Sequence, residues 1–304
     1  MALSTTDDPS TLDLGRLRPR IDAALDAYAQ FDDGCPLKLA EAIRYALLAP
    51  GKRLRPQLVL MAADACGGTI EAALPAACAI EMVHAYSLVH DDLPAMDDDD
   101  LRRGRPTCHK VFGEAVAILV GDALLARAFE VMARDVLPPG RAARCCGVLA
   151  RAAGATALVG GQAADLEMAE HNADQLHDGL RRLEAIHHRK TGALFVAALE
   201  LGGLTAEANA PQLAALAAYG QKVGLAFQIT DDLLDVAGHQ SSVGKRVAKD
   251  AGRGKLTFPG LLGVEESRRE AKKLVHDACA MIEVFGPKAD PLRALAEFVC
   301  SREK

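Results

Sequence analysis

Two aspartate motifs contain the residues of this chain that could do chemistry. The first reads Asp-Asp-Leu-Pro-Ala-Met-Asp over residues 91–97, and the second reads Asp-Asp-Leu-Leu-Asp over residues 231–235. Each motif closes an apolar stretch with helical periodicity, where grouped carboxylates are costly unless a cation neutralises them. Carboxylate oxygens suit magnesium, which keeps several waters and shares the phosphate oxygens of a substrate. Two such motifs facing each other therefore predict a diphosphate held between magnesium ions.

Basic residues form a second group. The segment Gly-Lys-Arg-Leu-Arg-Pro over residues 51–56 opens a predicted helix, where backbone N–H groups and the helix dipole favour an anion. Arg102 and Arg103 directly follow the first acidic motif, and their guanidinium groups can bind phosphate oxygens in a bidentate manner. Any one of these residues alone would be interpreted as a surface charge. Beside the acidic motifs, they predict a second anion site that needs no metal.

These two groups together predict transfer chemistry at a diphosphate. Metal ions and arginines would stabilise the charge on a departing diphosphate. The carbon left behind would be a carbocation, so the site must exclude water and offer an apolar channel for a hydrocarbon tail. The double bond of a second substrate would then attack that carbon.

Other interpretations of these residues are open. The run Asp97–Asp100, taken alone, is equally compatible with a solvated acidic loop. A calcium loop fits less well, because alternating aspartates followed by Gly and Glu are absent. The pair His187-His188 lacks an acid or Cys at suitable spacing, so we interpret it as structural.

The composition predicts one all-α domain over residues 1–304, with residues 1–15 as a flexible N-terminus. Half of the residues are apolar, only 4% are aromatic, and no tryptophan is present, which favours helices over strands. No strand alternation or long linker interrupts the helical patterns. The predicted helices span Leu17–Phe31, Pro36–Leu48, Arg53–Cys66, Pro75–Leu93, Gly113–Asp135, Arg141–Val159, Asp174–Leu201, Ala210–Val236, Leu256–Val264, Glu265–Ile282 and Asp290–Cys300.

Charge and hydropathy restrict the partners. The net charge of −6 argues against nucleic acid. We see no apolar, charge-free stretch of about 20 residues, so we expect no membrane span. The polar N-terminus does not resemble a signal peptide, and the eight cysteines contain no CxxC pair. We therefore expect a cytoplasmic protein whose cysteines are mostly small buried hydrophobes.

Helical spacing orders the residues around both motifs. Before the first motif, His84, Ser87 and Asp91 share a polar stripe that leads to the acidic end. Pro94 should end that helix, which lets the remaining acids curl around a cation. In the second motif, Asp231 and Asp235 share a helical face with Gln228.

Longer stretches around these motifs resemble the trans-isoprenyl diphosphate synthases. Residues 87–107 are similar to the first aspartate-rich motif of that family, and residues 227–235 are similar to the second. Four further family motifs match in the same order, at residues 51–56, 160–166, 190–192 and 254–259. The similarity extends from about residue 35 to the C-terminus. It implies a helical bundle of the isoprenoid synthase type with a central substrate cavity, usually a homodimer.

The resemblance also implies roles by position. Three magnesium ions would bridge the allylic diphosphate, held by Asp91, Asp92, Asp97, Asp231 and Asp235. The allylic substrate would be held by Arg102, Lys190, Thr191, Gln228, Lys245 and Lys255. Isopentenyl diphosphate would be held by Lys52, Arg55, His84 and Arg103. The C-terminal residues 302–304 resemble the basic tail that closes over this second site, and the released diphosphate would take the final proton.

The length of the product is predicted from Tyr86. In the family, the fifth residue before the first aspartate helps to set product length, and five helical residues place it about 7.5 Å deeper along the axis. An aromatic ring there would form the floor of the channel, although Tyr86 also fits ordinary core packing. The resemblance therefore implies farnesyl diphosphate as product, from isopentenyl, dimethylallyl and geranyl diphosphates.

Alternatives to this function are a geranylgeranyl or geranyl diphosphate synthase, a class I terpene cyclase, and an inactive subunit that binds a partner synthase. A cyclase would need no second diphosphate site, and an inactive subunit should have lost acids that are intact here. One departure from the family is His239, which follows Gly238 where an aspartate is usual. It bears on the geometry of the loop after the second motif.

Overall fold

Apolar side chains at helical spacing form helices along most of the chain. The structure is a computed structural model that describes residues 14–170, 176–241 and 256–301. Within these ranges the α-helices, in chain order α1 to α14, are Leu14–Tyr28, Leu37–Leu47, Leu54–Ala65, Ile70–Asp91, Cys108–Phe112, Glu114–Asp135, Pro139–Ala153, Leu158–Glu170, Leu176–His187, Ala193–Thr205, Ala210–Ser241, Phe258–Leu262, Val264–Met281 and Asp290–Ser301. The predicted all-α class is confirmed. Of the predicted flexible N-terminus, residues 1–13 lie outside the described ranges.

The centre of the bundle is α4, which positions the first acidic motif. Its sequence is a run of alanine, isoleucine, methionine and valine whose side chains are almost all buried. The hydroxyl of Thr69 caps the helix by accepting a hydrogen bond from the N–H of Ala72 at 3.3 Å. α4 packs against α6, α3 and α10. The core therefore fixes the direction in which the acidic end of α4 points.

Within the described residues, two helical stretches are long and apolar enough to cross a membrane by length and composition alone, Ile70–Asp91 and Pro139–Met168. In the first, 78% of the apolar window is buried inside the fold, as expected of a core helix. The second is 44% buried and includes the break between α7 and α8. These two helices are therefore weak support for a membrane span.

Three local predictions were wrong. The predicted helix Arg141–Val159 is two helices, because Gly154 adopts an extended conformation and ends α7. The predicted helix Asp174–Leu201 contains a π-helical turn at His188–Gly192. A two-stranded antiparallel hairpin, β1 Leu101–Arg102 and β2 Arg105–Pro106, follows the first acidic motif where no strand was predicted.

The eight cysteines all lie within the described ranges and form no disulfide. Three of them are buried, at Cys78, Cys108 and Cys145, and the other five are partly exposed. Burial raises the pKa of the Cys108 thiol to about 11. We predicted that most of the cysteines are buried, and the structure buries three of the eight.

Candidate active site

The first acidic motif curls back on itself at the end of α4. Asp91 is the last residue of the helix, and the chain then turns through Pro94. The N–H of Asp97 donates to the carbonyl oxygen of Asp91 at 2.8 Å, and the N–H of Asp99 donates to that of Asp92 at 3.2 Å. This turn brings the acidic group of Asp97 back towards Asp91, as the sequence predicted.

The hairpin attaches arginines to this loop. Arg102 binds Asp92 through its Nε and Nη2 atoms, at 2.7 and 2.6 Å from Oδ1. Arg103 lies at the turn between the strands with φ of 53°, and its Nη1 donates to the carbonyl oxygen of Pro50 at 2.7 Å. A Cβ at Gly51 would lie only 2.3 Å from that Nη1. Glycine at residue 51 therefore allows the hairpin and the segment before α3 to touch.

The segment before α3 is held by a buried ion pair. Arg53 precedes α3 in the left-handed conformation, with φ of 51°. Its Nη1 lies 2.9 Å from Oε1 of Glu81, its Nε lies 2.8 Å from Asp22, and its Nη2 donates to the carbonyl oxygen of Ala49 at 3.0 Å. The Arg53 and Glu81 side chains are only 5% and 4% exposed. The pair therefore fixes the segment that carries Lys52 and Arg55.

Arg55 and His84 form one wall of the site beside that pair, and Arg55 carries its positive charge. The Arg55 guanidinium lies 5.4 Å from the centre of the Phe195 ring, and its Nε has no hydrogen-bond partner in the described part of the chain. Burial lowers the pKa of Arg55 to about 10, although the nearby Glu81 opposes this effect. Burial and then the neighbouring Arg55 lower the pKa of His84 well below its usual value. The Nε of Arg55 can therefore donate to an anion at this wall, beside the uncharged imidazole of His84.

A second wall comes from the π-helical turn and α11. The Lys190 ammonium donates to the buried Asp165 on α8 at 2.7 Å. The Thr191 hydroxyl donates to Oε1 of Gln228 at 3.1 Å, and Nε2 of Gln228 donates to Asp231 at 3.4 Å. This chain of contacts connects the second acidic motif to the turn.

One cavity of about 660 Å³ lies between these elements. It brings together ten of the predicted site residues, which are Lys52, Arg55, His84, Asp91, Arg102, Arg103, Lys190, Thr191, Gln228 and Asp231. α4 and α11 thus contribute the first aspartate of each acidic motif to the same space. The cavity can accommodate an anionic group between carboxylates on one side and arginines on the other.

A smaller, mainly apolar cavity of about 280 Å³ adjoins the first one. The two share Ser87, Asp91 and Leu158 in their linings. Tyr86 and His90 line the small cavity from α4, and α8 supplies its other wall. Its position below Asp91 suits a hydrocarbon tail whose polar head lies in the larger cavity.

The remaining predicted residues lie elsewhere. Asp92 is buried beneath Arg102 and lines a neighbouring cavity. Asp97 is half-buried, and Asp235 is exposed on α11. Lys245, Lys255 and the basic tail at residues 302–304 lie outside the described residues, as does the side chain of His239.

The acidic residues fit a bound cation. Burial raises the pKa of Asp91 to about 6, and the nearby Asp97 adds to this effect. A carboxylate buried beside other carboxylates is stabilised by a divalent ion, and oxygen donors of this kind suit magnesium. The neighbouring Asp98 and Asp100 are exposed, and Lys110 lies 2.8 Å from Asp100. That part of the acidic run therefore matches the solvated-loop interpretation.

Sequence reasoning missed three residues that hold the site together: Arg53, Glu81 and Asp165. Glu81 had a detectable signal, because it is an acid within the apolar stretch before His84. Arg53 and Asp165 lie inside motifs that were recognised, but spacing alone did not give their partners.

Comparison with known proteins gives consistent matches over nearly the whole chain. The profile of the polyprenyl synthetase family matches residues 36–283. A dimethylallyltranstransferase from Fischerella ambigua is 47% identical over 292 residues, covering 95% of this chain and 82% of that protein. The chloroplastic geranylgeranyl pyrophosphate synthase 7 of Arabidopsis thaliana is 45% identical over 285 residues, covering 93% of this chain and 81% of that protein.

Solved structures agree with these matches. A crystal structure of an FPP/GFPP synthase from Zymomonas mobilis has a TM-score of 0.83 and 39% identity, covering 95% of this chain and 97% of that chain. A geranyltransferase from Legionella pneumophila has a TM-score of 0.83 and 35% identity, covering 95% and 96%. The fold and the sequence therefore point to one group of proteins.

Proposed function

The chain belongs to the polyprenyl synthetase family and is a prenyltransferase, and we propose that it makes farnesyl diphosphate with the help of magnesium. The substrates are isopentenyl diphosphate and, in two successive rounds, dimethylallyl and geranyl diphosphate. In each round the allylic carbon–oxygen bond breaks, and its electron pair leaves with the diphosphate. The double bond of isopentenyl diphosphate then attacks the allylic carbon, and a proton is lost to the released diphosphate.

The acidic residues would hold magnesium against the allylic diphosphate. Asp91, Asp97 and Asp231 are the proposed ligands, and Asp92 and Asp235 support them. Bound magnesium supplies Lewis-acid stabilisation of the leaving diphosphate. Lys190 and Arg102 add positive charge beside the same oxygens. The 2.7 Å contact from Lys190 to Asp165 supports this proposal, because it orients the ammonium before the substrate arrives.

Lys52, Arg55, His84 and Arg103 would hold isopentenyl diphosphate without a metal. Arg55, His84 and Arg103 line the same cavity as Asp91, so two diphosphates can lie side by side. Lys52 is the exposed member of this group, at the mouth of the cavity. The charge of Lys52, Arg55 and Arg103 directs the second substrate, and the apolar cavity below keeps water from the allylic carbon.

The position of Tyr86 carries the proposal of a fifteen-carbon product. Its buried ring lines the small cavity below Asp91, where the growing tail would extend. Burial raises the pKa of Tyr86, so its hydroxyl stays neutral beside the tail. A bulky ring at this depth limits the length of the tail that fits.

A second candidate product is geranylgeranyl diphosphate. The observation that favours it is the name of a relative at 45% identity, the geranylgeranyl pyrophosphate synthase 7 of Arabidopsis thaliana. The two products differ by one isoprene unit, so the same site with a deeper cavity would make either.

The test is a product assay with purified protein, magnesium, dimethylallyl diphosphate and labelled isopentenyl diphosphate. We expect label in a fifteen-carbon alcohol after dephosphorylation and chromatography. A dominant twenty-carbon product would support the second candidate, and no consumption of isopentenyl diphosphate would contradict both. Tyr86→Ala should lengthen the product, and an unchanged product would exclude Tyr86 as the floor.

The proposal includes a homodimer and a cytoplasmic location. The outer face of α6 exposes Ile118 and Leu119, which are 46% and 52% exposed, and a second copy of the chain could cover these side chains. Leu119→Glu should then convert a dimer to a monomer in size-exclusion chromatography with light scattering. A wild-type chain that runs as a monomer would contradict this part of the proposal.

A further inference from the structure

Two aromatic side chains of α4 form a pair at the small cavity. The rings of Tyr86 and His90 are four residues apart, and their centres lie 5.8 Å apart at an angle of 77°. This edge-to-face arrangement is the favoured geometry for neighbouring rings. Both rings line the cavity that adjoins Asp91. The floor assigned to Tyr86 is therefore built from two rings.

The second ring is fixed from α6. Nε2 of His90 lies 3.0 Å from the carbonyl oxygen of Ile118. A carbonyl oxygen only accepts, so Nε2 carries the proton and donates it. This hydrogen bond orients the His90 ring with respect to a different helix.

A gap in the α6 side chains accommodates that ring. A Cβ atom at Gly121 would lie 2.0 Å from Nε2 of His90 and 2.5 Å from Cδ2 and Cε1. Real atoms do not approach this closely, so any side chain at residue 121 would displace the imidazole. Gly121 and the Ile118 carbonyl, one turn apart on α6, together define where His90 can lie.

Tyr86 itself has no comparable polar anchor. Its hydroxyl makes no hydrogen bond to the described part of the chain, so packing alone determines the position of its ring. His90 is the aromatic neighbour in that packing. The position of the Tyr86 ring therefore depends on His90, and the position of His90 depends on α6.

We propose that His90, seated on Gly121 and Ile118 of α6, is a positioning residue that sets product length by holding Tyr86 across the tail cavity. The proposal rests on the prenyltransferase function proposed above. Removal of the imidazole would let the Tyr86 ring move towards the vacated space, and the cavity would deepen. A longer prenyl tail would then fit without any change at the two diphosphate sites.

The test compares product lengths in three variants under one set of conditions. His90→Ala should raise the ratio of twenty-carbon to fifteen-carbon product, by up to about tenfold if the ring contact is lost. Tyr86→Ala should raise the ratio at least as far. The double variant Tyr86→Ala/His90→Ala should match Tyr86→Ala to within about twofold, because His90 acts through Tyr86. The ratio does not depend on the amount of folded enzyme.

The matched control is His276→Ala, which removes an exposed imidazole on α13, a helix that lines neither cavity, and should leave the ratio unchanged. An unchanged ratio in His90→Ala would overturn the proposal, and so would effects of Tyr86→Ala and His90→Ala that multiply in the double variant.

A second measurement separates this inference from the proposed function. Alkyl bisphosphonates with tails of increasing length are titrated against wild type and His90→Ala in the presence of magnesium. The tail length that binds most tightly should be longer for His90→Ala, and an identical optimum would refute the role of His90 even if no turnover is seen. Failure of the wild type to consume isopentenyl diphosphate would instead count against the proposed function.

Discussion

The buried pair of Arg53 and Glu81 gives a prediction with a calculable size. Their side chains are 5% and 4% exposed, and 2.9 Å separates Nη1 from Oε1. Breaking a buried pair by removing one charge costs about 3–5 kcal/mol, because the other charge stays buried. In Glu81→Gln the amide oxygen still accepts from Nη1, and Asp22 still lies 2.8 Å from Nε. We therefore expect a loss near the lower limit, about 3 kcal/mol.

A loss of this size is measurable by thermal unfolding. With an unfolding entropy of roughly 2.1 cal/mol/K per residue, each kcal/mol corresponds to roughly 1.6 °C in a chain of 304 residues, so Glu81→Gln should melt roughly 5 °C below the wild type. The control is Glu265→Gln, whose carboxylate also pairs with an arginine, Arg268, at 2.8 Å but is 80% exposed. Exposed pairs contribute little, so this variant should melt with the wild type.

The same pair should affect one substrate more than the other. Arg53 also binds the carbonyl oxygen of Ala49, at the start of the segment that carries Lys52 and Arg55. Glu81→Gln should therefore raise the KM for isopentenyl diphosphate more than the KM for dimethylallyl diphosphate. A melting temperature within about 1 °C of the wild type would refute the stability argument, and equal changes in the two KM values would refute the positioning argument.

Three further predictions concern the walls of the cavity. Burial raises the pKa of Asp91 from 3.8 to about 6. Between these two pH values the folded protein keeps a proton that the unfolded chain releases. The stability that the folded protein gains from the protonated Asp91 is therefore lost as pH rises through about 6. Asp91→Asn should therefore raise the melting temperature of the metal-free protein at about pH 7.5, with a difference that shrinks towards about pH 4, while turnover is abolished. Asp165→Asn removes the charge that orients Lys190 and should lower kcat with the allylic substrate, measured in steady state, without a matching rise in the KM for isopentenyl diphosphate. Gly51→Ala should displace the Arg103 guanidinium and raise the KM for isopentenyl diphosphate, with a melting temperature close to that of the wild type.

Helical periodicity was sufficient to predict where the first acidic motif lies on its helix. Asp91 follows His84 and Ser87 on one stripe of α4, and the proline after it ends the helix. Both features depend on residues close in sequence, so they can be deduced without knowing how helices pack. The curl of the loop back to Asp91 follows from the same local rules.

Contacts between helices could not be predicted from the spacing of residues in the sequence. Arg53 and Glu81 are 28 residues apart, on segments whose relative register depends on the packing of α3 against α4. The left-handed conformation of Arg53 is rare for a residue with a side chain, and arginine is not among the residue types that favour it. The tertiary contacts of the guanidinium stabilise that conformation, so it becomes visible only in the fold.

The π-helical turn shows why a correct motif can still leave the geometry open. In a continuous α-helix, the side chains of Lys190 and Thr191 would point in directions 100° apart, and the apolar residues after them would keep the same helical register. The turn at His188–Gly192 inserts extra backbone at that point. As a result Lys190 reaches Asp165 on α8, Thr191 reaches Gln228 on α11, and Leu194 and Phe195 still enter the core. The requirement to contact two helices and the core at once, rather than the local sequence, explains the irregular turn at the site.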